Sequence, residues 1–181
     1  MDVEVAERKT GVNEMLESIA FGATDGCICF LGIIVGVARA TSDIRAVIIA
    51  AVAGGIADAM GNSVGFFVSQ TTERTVQLNA TNGVEHDHVH TEKEVYMSGV
   101  GTFLATVAVL GMLLLPFAFF TIWPAVAIAS VTSIVIAFLL GSYVGRLTGN
   151  PFKTGMKYAV VTVFGAAVSY GVGELLSIWI H

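Results

Sequence analysis

Charge is scarce in this chain of 181 residues: Asp, Glu, Lys and Arg make up 13% of it, against roughly 25% in a soluble domain. Hydrophobic residues fill 55%, and the mean hydropathy is +0.78. A chain this short cannot hide so much apolar surface inside a water-facing globule, which argues against a soluble enzyme. Positive charge is scarcer still. Nine Lys and Arg against fourteen Asp and Glu leave a net charge of −5, the wrong sign for the basic face that nucleic acid requires. The only two cysteines, Cys27 and Cys29, lie in one apolar block and imply no disulfide framework. Two residues apart, they face different directions on a helix and make no convincing metal pair. Residues 1–17 lack the basic n-region of a signal peptide, since Asp2, Glu4, Glu7, Glu14 and Glu17 face only Arg8 and Lys9. This polar segment reads equally as a solvated tail and as a weak amphipathic stripe of Val3, Val5, Val12, Met15 and Leu16 lying on a membrane surface. No internal repeat or low-complexity linker divides the rest.

The apolar residues that are present come in blocks of membrane-spanning length, roughly 20 residues at about 1.5 Å rise each. Five are visible: Ile19–Ala38, Ile44–Val68, Gly99–Phe120, Ala125–Gly145 and Tyr158–Ile180. The expectation is an all-α membrane protein of five transmembrane helices, with a polar loop over 70–98. With the N-terminus inside, inner segments hold Arg8, Lys9, Arg74, Lys93, Arg146, Lys153 and Lys157, while outer ones hold Arg39 and Arg45. Seven basic residues against two favour that orientation. The 121–124 link is a tight hairpin, and Pro151 is expected to stop the fourth helix. Gly61 and Gly65, Gly141 and Gly145, and Gly165, Ser169 and Gly173 recur at spacing four, rows that let helices approach closely in lipid and permit a symmetric dimer.

Acids inside the spans are the informative feature. Asp25 lies in the first span and Asp58 near the middle of the second, where an aspartate costs about 2.5–3.5 kcal/mol on insertion scales. A structural hydrogen bond for each is the bland explanation; a shared cation or proton site between adjacent antiparallel helices is the sharper one. Asn62 is one turn from Asp58 on the same face, and Cys29 one turn from Asp25. Met60, two residues after Asp58, points elsewhere. Glu174, near the end of the fifth span, has a weaker claim, since it can reach interfacial water. In the polar loop, Glu85, His86, His88, His90 and Glu94 mix imidazole with carboxylate, a combination that suits Zn, Fe, Mn or Ni. A strand would align the three histidines, and a helix would align His86, His90 and Glu94.

These residues resemble a known family. The first span, IAFGATDGCICFLGIIVGVARA, is similar to that of the vacuolar iron transporters, a Gly-x-x-Asp-Gly followed by a small, glycine-bearing apolar run. AGGIADAMGNSVGFFVSQ resembles their second-span Ala-Gly-Ala-x-Ser-Met-Ala-x-Gly-Glu-Tyr pattern. GMLLLPFAFF resembles their Gly-x-x-Pro-Leu-x-Pro segment, and GSYVGRLTGNPFKTGMKYAVVTVFGAAVSYGVGELL their last two spans with the basic link. The resemblance covers residues 17–178. It implies a homodimer of five-span subunits with cytosolic N-termini, moving Fe(II) and often Mn(II) out of the cytosol in exchange for protons. It also implies a metal path between subunits, with Asp25 as a metal and proton site. The family's second-span methionine falls on Asp58 and its glutamate on Asn62; carboxylate for thioether hardens the site toward Mn(II), Mg(II) or Ca(II). No resident cofactor or catalytic residue is expected, only the transported ion. The membrane is the cell membrane in a prokaryote, and vacuolar or another internal one in a eukaryote. The rivals are a metal-binding sensor or scaffold that does not transport, and an intramembrane aspartyl protease, whose Gly-x-Gly-Asp and Pro-Ala-Leu motifs do not occur here.

Overall fold

A computed structural model describes residues 2–80, 91–147 and 149–180, without the side chains of 2–14, 80, 147 and 180. It consists of α1 (Asp2–Thr41), α2 (Ile44–Ala80), α3 (Glu92–Leu114) followed by a 3-10 turn over Leu115–Ala118, α4 (Ile122–Leu147) and α5 (Pro151–Ile180). The described residues contain no strand. All five helices carry a stretch long and apolar enough to cross a membrane, from Met15–Thr41 in α1 to Pro151–Trp179 in α5. The expected all-α, five-span architecture is therefore what is found, and the chain is an integral multi-pass membrane protein.

The helices overrun the apolar blocks. α1 carries the polar first residues in one unbroken helix with the first span, and α2 and α3 take in 70–80 and 92–98 of the segment read as a loop. Apolar blocks mark only what lipid covers; good helix formers such as Glu73, Arg74 and Gln77 carry the backbone ladder onward. The basic link also differs from expectation. Pro151 does not stop α4; it is the first residue of α5, where its missing N–H costs nothing. α4 is closed instead by Gly149, in the left-handed region at φ 76°. There its N–H reaches the Arg146 carbonyl at 3.4 Å, and the Asn150 N–H reaches Gly145 O at 3.0 Å.

The α1–α2 connection is only Ser42 and Asp43. The Asp43 carboxylate accepts the Arg45 N–H at 2.9 Å, supplying one of the partners that the start of α2 lacks. The two helices consequently run back antiparallel from a fixed point.

α1 packs against all four other helices, and Phe30, Leu31 and Ile34 on it are fully buried, with Val47 and Leu113 from its neighbours. Small hydroxyls clip the bundle to α1. Thr102 Oγ1 donates to Ser18 O (3.3 Å), Thr106 Oγ1 to Gly22 O (3.1 Å) and Ser133 Oγ to Cys27 O (2.8 Å). The glycine rows are packing surfaces in α4 and α5. A Cβ on Gly141 would sit 2.8 Å from Tyr158, and one on Gly145 2.7 Å from the Pro151 backbone. Gly173 abuts Gly36 O, and Ser169 meets Gly32 and Gly36. Gly61 and Gly65 in α2 differ, because among the described residues nothing comes within 4 Å of a Cβ built there.

Candidate metal centre

Asp25, Asp58 and Asn62 come together between α1 and α2. Asn62 Nδ2 donates to Asp25 Oδ2 at 2.7 Å and to Asp58 Oδ2 at 3.2 Å, so one amide bridges carboxylates from two helices. Asp25 and Asp58 are close enough to interact electrostatically, and Cys29 lies beside Asp58. All four residues are half-buried. Local geometry accounts for part of this: Asp58 and Asn62 are one turn apart and share a face. The α1–α2 hairpin does the rest, bringing Asp25 level with them. Met60 points outward, 58% exposed.

Chemically, the cluster has two carboxylates, an amide and a thiol in a mostly apolar helix bundle. Two carboxylates this close repel one another when both carry charge. Among the described residues, no three His, Cys, Asp or Glu side chains form a group that could hold a metal ion.

Glu85, His86, His88 and His90 fall outside the described residues. Glu94 sits at the start of α3, where its carboxylate accepts from Thr91 N and Thr91 Oγ1, both at 2.8 Å, while the Thr91 hydroxyl accepts the Glu94 N–H at 3.3 Å. This is a reciprocal cap of the helix start. Glu174 pairs with Arg39, whose guanidinium lies 5.6 Å from the centre of the Tyr170 ring. That ion pair ties α1 to α5 away from the Asp25 cluster, a partnership that no spacing in the sequence signals. A cavity of about 620 Å³ extends from Asp25 along α1, with Glu17, Thr24, Phe66, Tyr143 and Tyr158 among its walls. Glu17 was not singled out from the sequence, although its position eight residues before Asp25 places both on one helix face.

Two curated proteins align with most of this chain. One, "Vacuolar iron transporter homolog 2" of Arabidopsis thaliana, is 25% identical over 92% of this chain and 87% of its own length. The other, an uncharacterised protein of Methanocaldococcus jannaschii, is 27% identical over 77% of this chain and 78% of its own. Residues 16–95, which hold the whole Asp25–Asp58–Asn62 cluster, match the VIT family, and the resemblance to the vacuolar iron transporters read from the span motifs is thereby borne out.

Proposed function

We propose that this chain is a proton-coupled transporter that moves a divalent transition metal, Fe(II) or Mn(II), out of the cytosol, and that it works as a homodimer with its N-termini in the cytosol. The observation that carries this reading is the Asn62 bridge between Asp25 and Asp58. Such a cluster is costly in a membrane unless it is used. With no ion bound, the two carboxylates share a proton and the amide donates to both. A divalent cation favours their ionised forms and displaces the proton. Metal moving one way and proton the other then follows from a single site, with no covalent chemistry and hence no enzymatic role.

A hard divalent ion takes about six or more ligands, more than Asp25, Asp58 and Asn62 supply. A second subunit completes the set. Gly61 and Gly65 on α2 support this, since among the described residues nothing lies within 4 Å of a Cβ built at either. In this reading the His and Glu residues of the 85–94 segment gather metal at the cytosolic mouth.

The test is purified protein in liposomes with a pH dye inside and Fe(II), Mn(II), Co(II), Zn(II), Mg(II) or Ca(II) outside, with and without a proton gradient. Metal uptake coupled to proton movement is expected, and loss of it in Asp25→Ala and Asp58→Ala. Binding without flux for any ion, in folded protein, would replace this reading with that of a metal sensor.

A further inference from the structure

Charge is spread unevenly along this chain. No Asp or Glu occurs between Glu94 and Glu174, and the only Lys and Arg in that stretch are Arg146, Lys153 and Lys157. All three are exposed, and among the described residues none of them forms an ion pair. The basic residues around the 81–90 segment differ: Arg74 in α2 faces Glu92 at 3.9 Å, and Lys93 stands in sequence between Glu92 and Glu94. We infer that the α4–α5 link is a docking site for the phosphate headgroup of an anionic phospholipid, held by Arg146, Lys153 and Lys157.

The packing of α4 on α5 gathers the three charges. A Cβ on Gly145 would lie 2.7 Å from the Pro151 Cα and 2.8 Å from the Thr154 Cβ, so the last turn of α4 lies directly against the first turn of α5. Arg146 follows Gly145, and Lys153 and Lys157 stand one turn apart on one face of α5. Their depth suits a headgroup. The fourth apolar stretch ends at Arg146 and the fifth begins at Pro151, which puts the charges at the edge of the apolar layer, where long basic side chains reach anionic headgroups. Apolar residues interleaved with the charges favour a lipid over a free phosphate. Phe152, 68% exposed, and Met156, 44% exposed, form a second one-turn pair beside Lys153 and Lys157. The Phe152 ring is braced edge-on by Phe138, with centroids 5.8 Å apart, and offers a fixed surface to an acyl chain. An anion without a tail would make no use of that surface. The site depends neither on the metal cluster nor on transport, and its occupant pins the ends of α4 and α5 to one leaflet.

Binding of fluorescent phosphatidylglycerol to the detergent-solubilised chain tests this, with unlabelled phosphatidylglycerol, phosphatidylcholine and glycerol 3-phosphate as competitors. Phosphatidylglycerol is expected to compete and the other two are not, and added salt should weaken the binding. Each basic residue at an anionic surface strengthens binding about fivefold. Replacing Arg146, Lys153 and Lys157 together by Gln should therefore weaken it about a hundredfold, and Lys153→Gln with Lys157→Gln alone about twenty-five-fold. Lys153→Arg with Lys157→Arg should keep the affinity, as should Arg45→Gln with Lys93→Gln, which remove charge elsewhere; elution of each variant at the parent's volume in size exclusion shows that it is folded. Parental affinity in the Gln variants of the link overturns the inference. Equal competition by phosphatidylcholine also overturns it, since that is the behaviour of unselective lipid around any span. Competition by glycerol 3-phosphate at the same concentration overturns the lipid assignment and gives the three charges to a soluble phosphate.

Discussion

Gly22 holds α1 against α3 one turn before Asp25, which makes it a sharp test of how the site is positioned. A Cβ built there would lie 2.8 Å from Thr106 Oγ1 and would also press on the Thr102 carbonyl oxygen, well inside the roughly 3.5 Å of ordinary contact. The carbonyl belongs to a helix backbone and cannot swing aside, so α1 and α3 must part. Overpacking of this kind costs about 1–3 kcal/mol. Parting also stretches the bonds from Thr102 to Ser18 O and from Thr106 to Gly22 O, each worth about 0.6 kcal/mol in a membrane bundle. Gly22→Ala is therefore expected to destabilise the fold by about 2–4 kcal/mol, read from denaturant titration of the detergent-solubilised chain. Gly61→Ala is the control: its Cβ meets nothing within 4 Å, and the monomer should gain up to about 1 kcal/mol of helix propensity. A Gly22→Ala chain as stable as the parent would refute the close α1–α3 approach.

Asn62→Leu should leave two carboxylates facing each other without their shared donor. Metal-free protein then loses about 1.5–3 kcal/mol per charged hydrogen bond at neutral pH and recovers much of it at a pH low enough to protonate both acids; equal stability at both pH values would count against the bridge. Thr91→Ala removes half of the reciprocal cap on α3 and is expected to cost about 1 kcal/mol, measured by thermal melting, whereas Thr91→Ser should be nearly neutral. On the proposed reading of a metal-gathering segment, replacing His86, His88 and His90 together by Ala should raise the apparent Km for metal in the liposome assay and leave the maximal rate alone.

The meeting of Asp25 with Asn62 was more legible than intrahelical spacing alone suggests. A two-residue turn at Ser42 and Asp43 makes α1 and α2 a level antiparallel pair. Asp25 lies seventeen residues before Ser42, and Asp58 and Asn62 lie fifteen and nineteen after Asp43, so the three fall at the same height. Helix ends were not legible in the same way. Apolar blocks bound what lipid covers, and polar residues of good helix propensity extend α1, α2 and α3 past it. Pro151 misled because proline both ends and begins helices, and the difference lay in Gly149, whose φ of 76° closes α4 first. The Arg39–Glu174 pair and the Tyr143 and Tyr158 walls of the cavity join α1 to helices far along the chain. No local pattern encodes such contacts; they follow from how α4 and α5 pack on α1.

The two departures from the family pattern make sense as one change. Where the vacuolar iron transporters carry methionine and, one turn later, glutamate, this chain carries Asp58 and Asn62. The carboxylate has moved one turn along the same face of α2, and the number of acids opposite Asp25 is unchanged. Asparagine is the residue that makes the move workable. Its two amide hydrogens satisfy Asp25 and Asp58 together, whereas a glutamate at that position would add a third negative charge to a half-buried cluster. What the exchange gives up is the soft thioether donor. The Cys29 thiol, beside Asp58, is the remaining soft group in reach, and Met60 faces away. On the proposed reading, the oxygen ligands favour Mn(II) more than a thioether-bearing site does, and Cys29 is the residue that keeps Fe(II) competitive.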